Sequence, residues 1–287
     1  MAVFFIWYTI SMEKPIYIKK ADGTLEPFNE SKLVESLEHV GTEPSTIVEI
    51  TEKVKKEIKD GMTTGQIYHL AFSHLRESKN TIATKYSLRR ALSELGPNGF
   101  PFEKFIAAIL RTQGYEAVTD QIVYGGCVPH EMDVIAWKGD ELIMIEAKFH
   151  NEFGFKSDVK VALYIKARFD DLKENMYEYG GKKRKITDGW LVPNTKFTDQ
   201  AIHYAECKGL KLIGWNYPAQ NNLQDMIEKS GLHPFTALTT LSATQKKHLL
   251  AQGIILCEDI KHHQVLLKEL GMSTEDIAKV LKEIDTL

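Results

Sequence analysis

The stretch MDVIAWKGDELIMIEAK, from Met132 to Lys148, constrains this chain more than any other. Two apolar runs flank Gly139-Asp140, and a two-residue turn of that composition joins antiparallel strands. Pairing Lys138 with Glu141 sets the register and places Asp133 directly opposite Glu146. Opposed side chains share a face, with Cβ atoms about 5 Å apart. Lys148 lies two residues beyond Glu146 and points the same way. The expectation is an apolar hairpin with two carboxylates and an amine converging at one end.

Burying such groups is costly unless something satisfies them. Two opposed carboxylates repel each other. A hard divalent cation between them, Mg²⁺ (or Mn²⁺), relieves the repulsion, because carboxylate oxygens suit it and it keeps waters for chemistry. A lysine beside the metal orients or helps deprotonate a water, or stabilises charge on a phosphate. These are the parts of a metal-dependent phosphodiester hydrolase. The plainer explanation, a solvated ion pair at a strand end, suffices for an isolated Glu-x-Lys. The opposed Asp133 favours the chemical reading. So does the preceding amphipathic helix FEKFIAAILRTQGY, which brings Glu103 toward the same sheet.

Patterning on either side organises the rest. YIKKADGTLEPF turns at Asp22-Gly23 as a hairpin does, and four punctuated helices follow to Gly96-Pro97. Thr63 and Gln66 stand in capping-box spacing. After GPNGFP come a helix, three antiparallel strands, a long helix over about 157–177, the strand DGWLVP, the helix TDQAIHYAECKG and the strand KLIGWN. This order predicts an α/β sheet with helices on both faces. The last fifty residues read as short helices broken at Gly253 and Gly271.

The 287 residues suffice for two or three domains, and 43% hydrophobic with 26% charged residues is an ordinary globular composition. Charge is evenly spread: 13 basic against 13 acidic residues in 1–98, 17 against 19 in 99–235, and 6 against 7 in 236–287. The lack of a basic block argues against coating nucleic acid by charge alone and leaves room for basic groups that act locally. Cys127, Cys207 and Cys257 form no CxxC, so they read as free thiols in a reducing cytoplasm rather than a disulfide or zinc framework. MAVFFIWYTIS, residues 1–11, is about half the length of a membrane span. It lacks a basic n-region and a cleavage site, and is expected to be an apolar extension with no membrane role.

The segment from Phe102 to Lys148 resembles the PD-(D/E)xK nuclease core, in particular Mrr-like restriction endonucleases and archaeal Holliday-junction resolvases. The resemblance spans roughly 100–216, including DGWLVPNTKFTDQAIHYAECKGLKLIGW. It implies Mg²⁺-dependent DNA cleavage, with Asp133, Glu146 and Glu103 on the metal and Lys148 on water and phosphate. Glu131 and His130 stand beside the acidic position, where they either support the metal ligands or are solvated, His130 read as the latter; His150 is in phase with Lys148 and could touch phosphate, though a strand-end histidine is more often just exposed.

YIKKADGTLEPFNESKLVESL followed by DGMTTGQIY resembles the ATP-cone, a nucleotide-sensing module. That resemblance places Ile18 and Lys20 on base and phosphates, and Glu26, Asn29, Lys32 and Thr64 around a bound ATP or dATP. Ala21 stands where many members carry a second basic residue. A cation such as Lys32 in a first helical turn is unfavourable unless an anion is near, which agrees with phosphate binding. No Walker A motif is present, so nucleotide is expected to be sensed rather than used for work. The alternative is a helical packing domain with a solvated lysine face.

GGKKRK, Gly180 to Lys185, reads as a basic loop, and Lys160, Lys166 and Arg168 as a second basic surface; either could contact DNA backbone. The C-terminal segment faintly resembles helix-hairpin-helix modules, with protein interaction as an equal alternative. The expected architecture is multidomain: an extension (1–11), a β-hairpin plus helical bundle (12–98), an α/β restriction-endonuclease-like core with a mixed sheet (99–235) and a small all-α segment (236–287). The expected function is a metal-dependent, cytoplasmic DNA endonuclease answering to ATP or dATP, a homodimer because duplex cleavage needs two centres. The alternative is a non-cleaving, nucleotide-responsive DNA-binding regulator.

Overall fold

The computed structural model describes residues 15–20, 23–39, 42–78, 87–151 and 155–287. The apolar extension at 1–11, Ala21, Asp22 of the first turn and the Asn80 helix start lie outside them. The chain divides into two compact units at residues 74 and 75.

In the first unit, β1 (Tyr17–Lys19) and β2 (Leu25–Pro27) pair antiparallel with Ile18 opposite Glu26. Gly23, at φ 86°, supplies the left-handed turn. Helices α1 (Glu30–His39), α2 (Pro44–Glu57) and α3 (Thr64–Ser78) follow. Leu33, Leu37, Ile47, Ile50, Val54, Ile67 and Ala71 recur at helical spacing and are buried. The capping box before α3 forms: the Thr63 amide donates to Gln66 Oε1 (2.8 Å) and the Gln66 amide to Thr63 Oγ1 (3.1 Å). The segment entering α3 runs beside β1, with the Lys19 amide donating to the Met62 carbonyl at 2.9 Å.

The second unit is built on a mixed sheet. After α4 (Leu88–Ser93) and α5 (Phe100–Thr112) come β3 (Glu116–Tyr124), β4 (Pro129–Lys138) and β5 (Glu141–Lys148). Then follow β6 (Lys156–Ser157), α6 (Val159–Leu172), β7 (Met176–Tyr179), β8 (Lys182–Lys185), β9 (Asp188–Pro193), β10 (Lys196–Phe197), α7 (Asp199–Lys208) and β11 (Lys211–Leu212). The sheet order is β11-β9-β5-β4-β3, antiparallel among β3, β4 and β5 and parallel at β5-β9 and β9-β11. The β4-β5 register pairs Lys138 with Glu141 and Val134 with Ile145, as the Gly139-Asp140 turn requires.

Two apolar layers sandwich this sheet. On one face Phe102, Phe105, Ile106, Ile109 and Leu110 of α5 pack on Val134, Ala136, Ile143, Ile145 and Ala147. On the other, Ala162, Ile165, Phe169 and Leu172 of α6 pack on Ile135, Trp137, Leu142, Met144 and Leu191. Gly189 lets α6 approach closely, since a Cβ there would sit 2.4 Å from the Phe169 ring. Leu88, Leu92 and Leu95 join the α5 layer.

Three expectations are corrected. The long helix is shorter than 157–177. Asp158 caps it, its carboxylate accepting from the Lys160 and Val161 amides, and it ends at Leu172. GGKKRK is not a loop. Gly180 (φ 59°) and Gly181 (φ 70°) make a tight turn, and β7 and β8 form a hairpin around it. KLIGWN is extended only at Lys211–Leu212.

The C-terminal segment is all-α: α8 (Leu223–Ser230), a 3-10 turn (Phe235–Ala237), α9 (Ala243–Ala251), α10 (Cys257–His262), α11 (Gln264–Glu269) and α12 (Thr274–Asp285). Gly253 and Gly271 interrupt the helices as expected. Buried Glu283 ties α12 to the chain before α9, accepting from the amides and hydroxyls of Thr239 and Thr240 at 2.7–3.0 Å. No helix of the described residues is long and apolar enough to cross a membrane.

Candidate active site and nucleotide-binding residues

Strand alternation reverses at Asp133. Beyond it, Val134 and Ala136 face the α5 layer and Ile135 the α6 layer. Strict alternation puts Met132 with α5, yet Met132 lies in the α6 layer. The same switch occurs on β3, where Ala117 faces α5 and Val123 faces α6. Its pivot is Asp120, held at φ 56° between the pairs Thr119–Val134 and Gln121–Met132. A short polar side chain tolerates that left-handed backbone. Asp120 thus stands in the same cross-strand row as Asp133.

At the switch Asp133 turns a carboxylate toward β5. Its Oδ2 accepts the Ala147 amide at 2.7 Å, one residue past Glu146. Burial and the charges of Glu146 and Glu103 hold the Asp133 carboxyl well above the usual carboxylate range, against the pull of the Ala147 amide. Glu146 is raised too, by burial, with Arg168 and Lys148 opposing. Glu103, in the first turn of α5 and 9% exposed, is pushed up to about 7, first by burial and then by Asp120, Glu131 and Glu146. The acids therefore share one field, and each makes the next harder to ionise.

The cations differ in their engagement. Lys148 is exposed, and its ammonium makes no hydrogen bond or ion pair among the described residues. Arg168 of α6 is not the surface contact that its sequence position suggested. Its Nη1 donates to Glu146 Oε2 at 2.6 Å, both side chains nearly buried at 10% and 13% exposed. Its Nη2 donates to the Glu131 carbonyl and to Met132 Sδ. Lys166 instead pairs with Asp170 at 2.5 Å.

Two histidines also depart from expectation. His130 is not solvated. Its Nε2 is 2.8 Å from Asp171 Oδ2, and Asp171 also accepts the Cys127 and Val128 amides. The His130 bond is first among those holding Asp171 down at about 2. His150 is half-buried, stacked on Phe155 at 5.0 Å with Nε2 3.3 Å from Ser157 Oγ. Burial and Lys148 lower its pKa. Arg184, in the supposed basic loop, is buried and donates to the carbonyls of Gly139, Tyr179 and Lys182.

Among the described residues, no three His, Cys, Asp or Glu side chains form a group able to enclose a metal ion. The pair Asp133 and Glu146 does suit a small hard cation. Mg²⁺ is held by one or two carboxylates and completes its shell with water and phosphate oxygens. Buried carboxylates that resist ionisation beside each other are relieved by such a charge.

In the first unit, Lys20 and Lys32 converge on Glu26, at 2.7 and 3.2 Å. Their hydrogen bonds lower the Glu26 pKa, Lys20 contributing most. Asn29 Oδ1 accepts the Ser31 amide at 2.9 Å and opens α1. Ile18 is buried opposite Glu26, and Thr64 is exposed as the first residue of α3.

Comparison with known proteins gives three matches in order along the chain. Residues 16–95 match the ATP cone domain, 97–217 a restriction endonuclease domain of the Mrr type, and 233–287 the AF1548-like C-terminal domain. An uncharacterized protein of Archaeoglobus fulgidus is 35% identical over 179 residues, covering 62% of this chain and 97% of that protein. The crystal structure of a protein of unknown function, AF1548, overlaps with a TM-score of 0.52 at 34% identity, covering 66% of this chain and 97% of that one. A Vibrio cholerae protein, VC1899, overlaps with a TM-score of 0.32 at 19% identity, over 70% of this chain and 51% of that one. The chain belongs to the AF1548-like family, and it carries an ATP cone domain followed by an Mrr-type restriction endonuclease domain.

Proposed function

We propose that this protein is a Mg²⁺- or Mn²⁺-dependent DNA endonuclease governed by ATP or dATP binding to its ATP cone. The observation that carries the reading is the Asp133–Glu146 pair, two half-buried carboxylates raised above their ordinary values beside the ammonium of Lys148, which has no partner among the described residues. A protein that only grips DNA gains nothing from burying repelling acids, whereas a hydrolase needs them.

Asp133 and Glu146 would hold the metal, with Glu103 at the rim of the same acidic field. The bound cation supplies Lewis-acid polarisation of the phosphate and an activated water. Lys148 binds a phosphate oxygen and steadies the attacking water at Nζ. Glu103, near 7, can accept and return a proton at physiological pH. Neutral His150 leaves Lys148 as the cation at that strand end. In the first unit, Lys20 and Lys32 are released from Glu26 to nucleotide phosphates. The partners are DNA and a nucleotide effector, and a homodimer supplies two centres for a duplex.

The test is cleavage of linear, supercoiled and junction DNA with Mg²⁺, with and without ATP, wild type beside Lys148→Ala. Cutting that is lost in the variant and in EDTA supports the reading. DNA binding without cutting, unchanged in Lys148→Ala, overturns it in favour of a regulator.

A further inference from the structure

We infer that Arg168 is a positioning residue that presets Glu146 for metal, and that removing it weakens metal binding even though it removes a positive charge. The inference rests on the metal-dependent reading above.

The β4-β5 ladder runs from the Lys138–Glu141 turn to Val134–Ile145 and stops where the site begins. Beyond it, side chains tie the strands. Asp133 reaches across to the Ala147 amide. Arg168 makes the second tie, with Nη1 on Glu146 of β5 and Nη2 on the Glu131 carbonyl of β4. One guanidinium therefore bridges the two strands on either side of Asp133. A planar fork with fixed donors can do this, and a lysine ammonium cannot span both acceptors in the same way.

The bond also selects an oxygen. Arg168 engages Oε2 of Glu146, and no other hydrogen bond to that carboxylate is made among the described residues, leaving Oε1 for another partner. Carboxylates that ligate metals are commonly oriented by such outer hydrogen bonds, whose loss costs about 10- to 100-fold in metal affinity. The guanidinium is itself fixed, since Met132 Sδ accepts from it at 3.7 Å and the Tyr164 ring lies 5.6 Å away.

Coulomb's law alone gives the opposite sign. A cation removed from beside a metal site should tighten binding. The direction of change thus separates positioning from simple charge.

The experiment is Mn²⁺ titration of the full-length protein, followed by electron paramagnetic resonance of free Mn²⁺. Wild type is compared with Arg168→Ala and Arg168→Lys, with circular dichroism on each. The expected result is about 10-fold or greater weakening in Arg168→Ala and partial recovery in Arg168→Lys, which keeps the charge on Glu146 and guards against misfolding. Equal or tighter binding in folded Arg168→Ala overturns the inference and leaves the metal reading standing. Failure of wild type to bind Mn²⁺ overturns both.

Discussion

The Asp133 carboxylate accepts the amide of Ala147 at 2.7 Å, so a proposed metal ligand also closes the strand pairing where the ladder ends. The two duties can be separated. In Asp133→Asn the amide oxygen still accepts from Ala147, and a group whose ionisation its surroundings oppose is gone. The variant should melt at or above the wild-type temperature while cleavage falls by about 100-fold or more. Asp133→Ala loses both duties and leaves a backbone N–H without its acceptor, a cost of about 1–3 kcal/mol. Thermal melts beside a plasmid-cleavage assay check the pair.

Lys148 makes no hydrogen bond or ion pair among the described residues, so it has no structural duty to lose there. Lys148→Ala should stay within about 0.5 kcal/mol of wild type in denaturant titration, as surface substitutions do, and bind Mn²⁺ as before. Its cleavage rate should drop by about 100-fold or more. A variant that loses metal binding along with cutting would place the ammonium in a different role.

Glu103 makes stability depend on pH in the metal-free protein. Its folded pKa, about 7, lies above the ordinary 4.5, so the folded state holds its proton longer than the unfolded chain does. The stabilisation is complete below about 4.5 and is lost as pH rises through about 7. Discounted for solvent screening, the change is on the order of 2 kcal/mol. Urea titrations at pH 5 and pH 8 should show it on top of the contributions of the raised Asp133 and Glu146, and Glu103→Gln should shrink the difference without abolishing it.

Arg184 should behave as a structural residue despite its basic neighbours. Arg184→Ala orphans three carbonyl contacts and empties a buried position, and should destabilise by roughly 2–3 kcal/mol. Lys183→Ala, an exposed change in the same strand, should leave stability unchanged and test DNA contact by the salt dependence of binding.

ATP should raise the melting temperature of the metal-free protein by mass action. Lys20→Ala and Lys32→Ala should each shrink that shift, because both ammonium groups stand at Glu26 where phosphate charge would replace the carboxylate. A thermal shift identical in both variants would place the nucleotide elsewhere.

The hairpin register was readable because Gly139-Asp140 fixes it and every later residue follows by alternation. The same logic could not reveal the reversal at Asp133. That depends on one left-handed residue, Asp120, whose φ leaves no mark on the hydrophobic pattern. Arg168 was visible only as a basic residue on a helix, because what it reaches depends on how α6 docks. The Gly180-Gly181 pair did carry a turn signal, overridden by reading four consecutive cations as solvated. Asp171 and His130, forty-one residues apart, meet through tertiary packing alone.

Gly189 gives that docking its depth. The Phe169 ring occupies the space a methyl group would take, and Arg168 is the residue just before it on the helix. Any larger residue at 189 would lift the helix like a shim under a hinge and withdraw the guanidinium from Glu146. The calibration of the acidic centre is thus set on a neighbouring strand by an atom that is missing, and Gly189→Ala should perturb Mn²⁺ affinity without touching a single polar group.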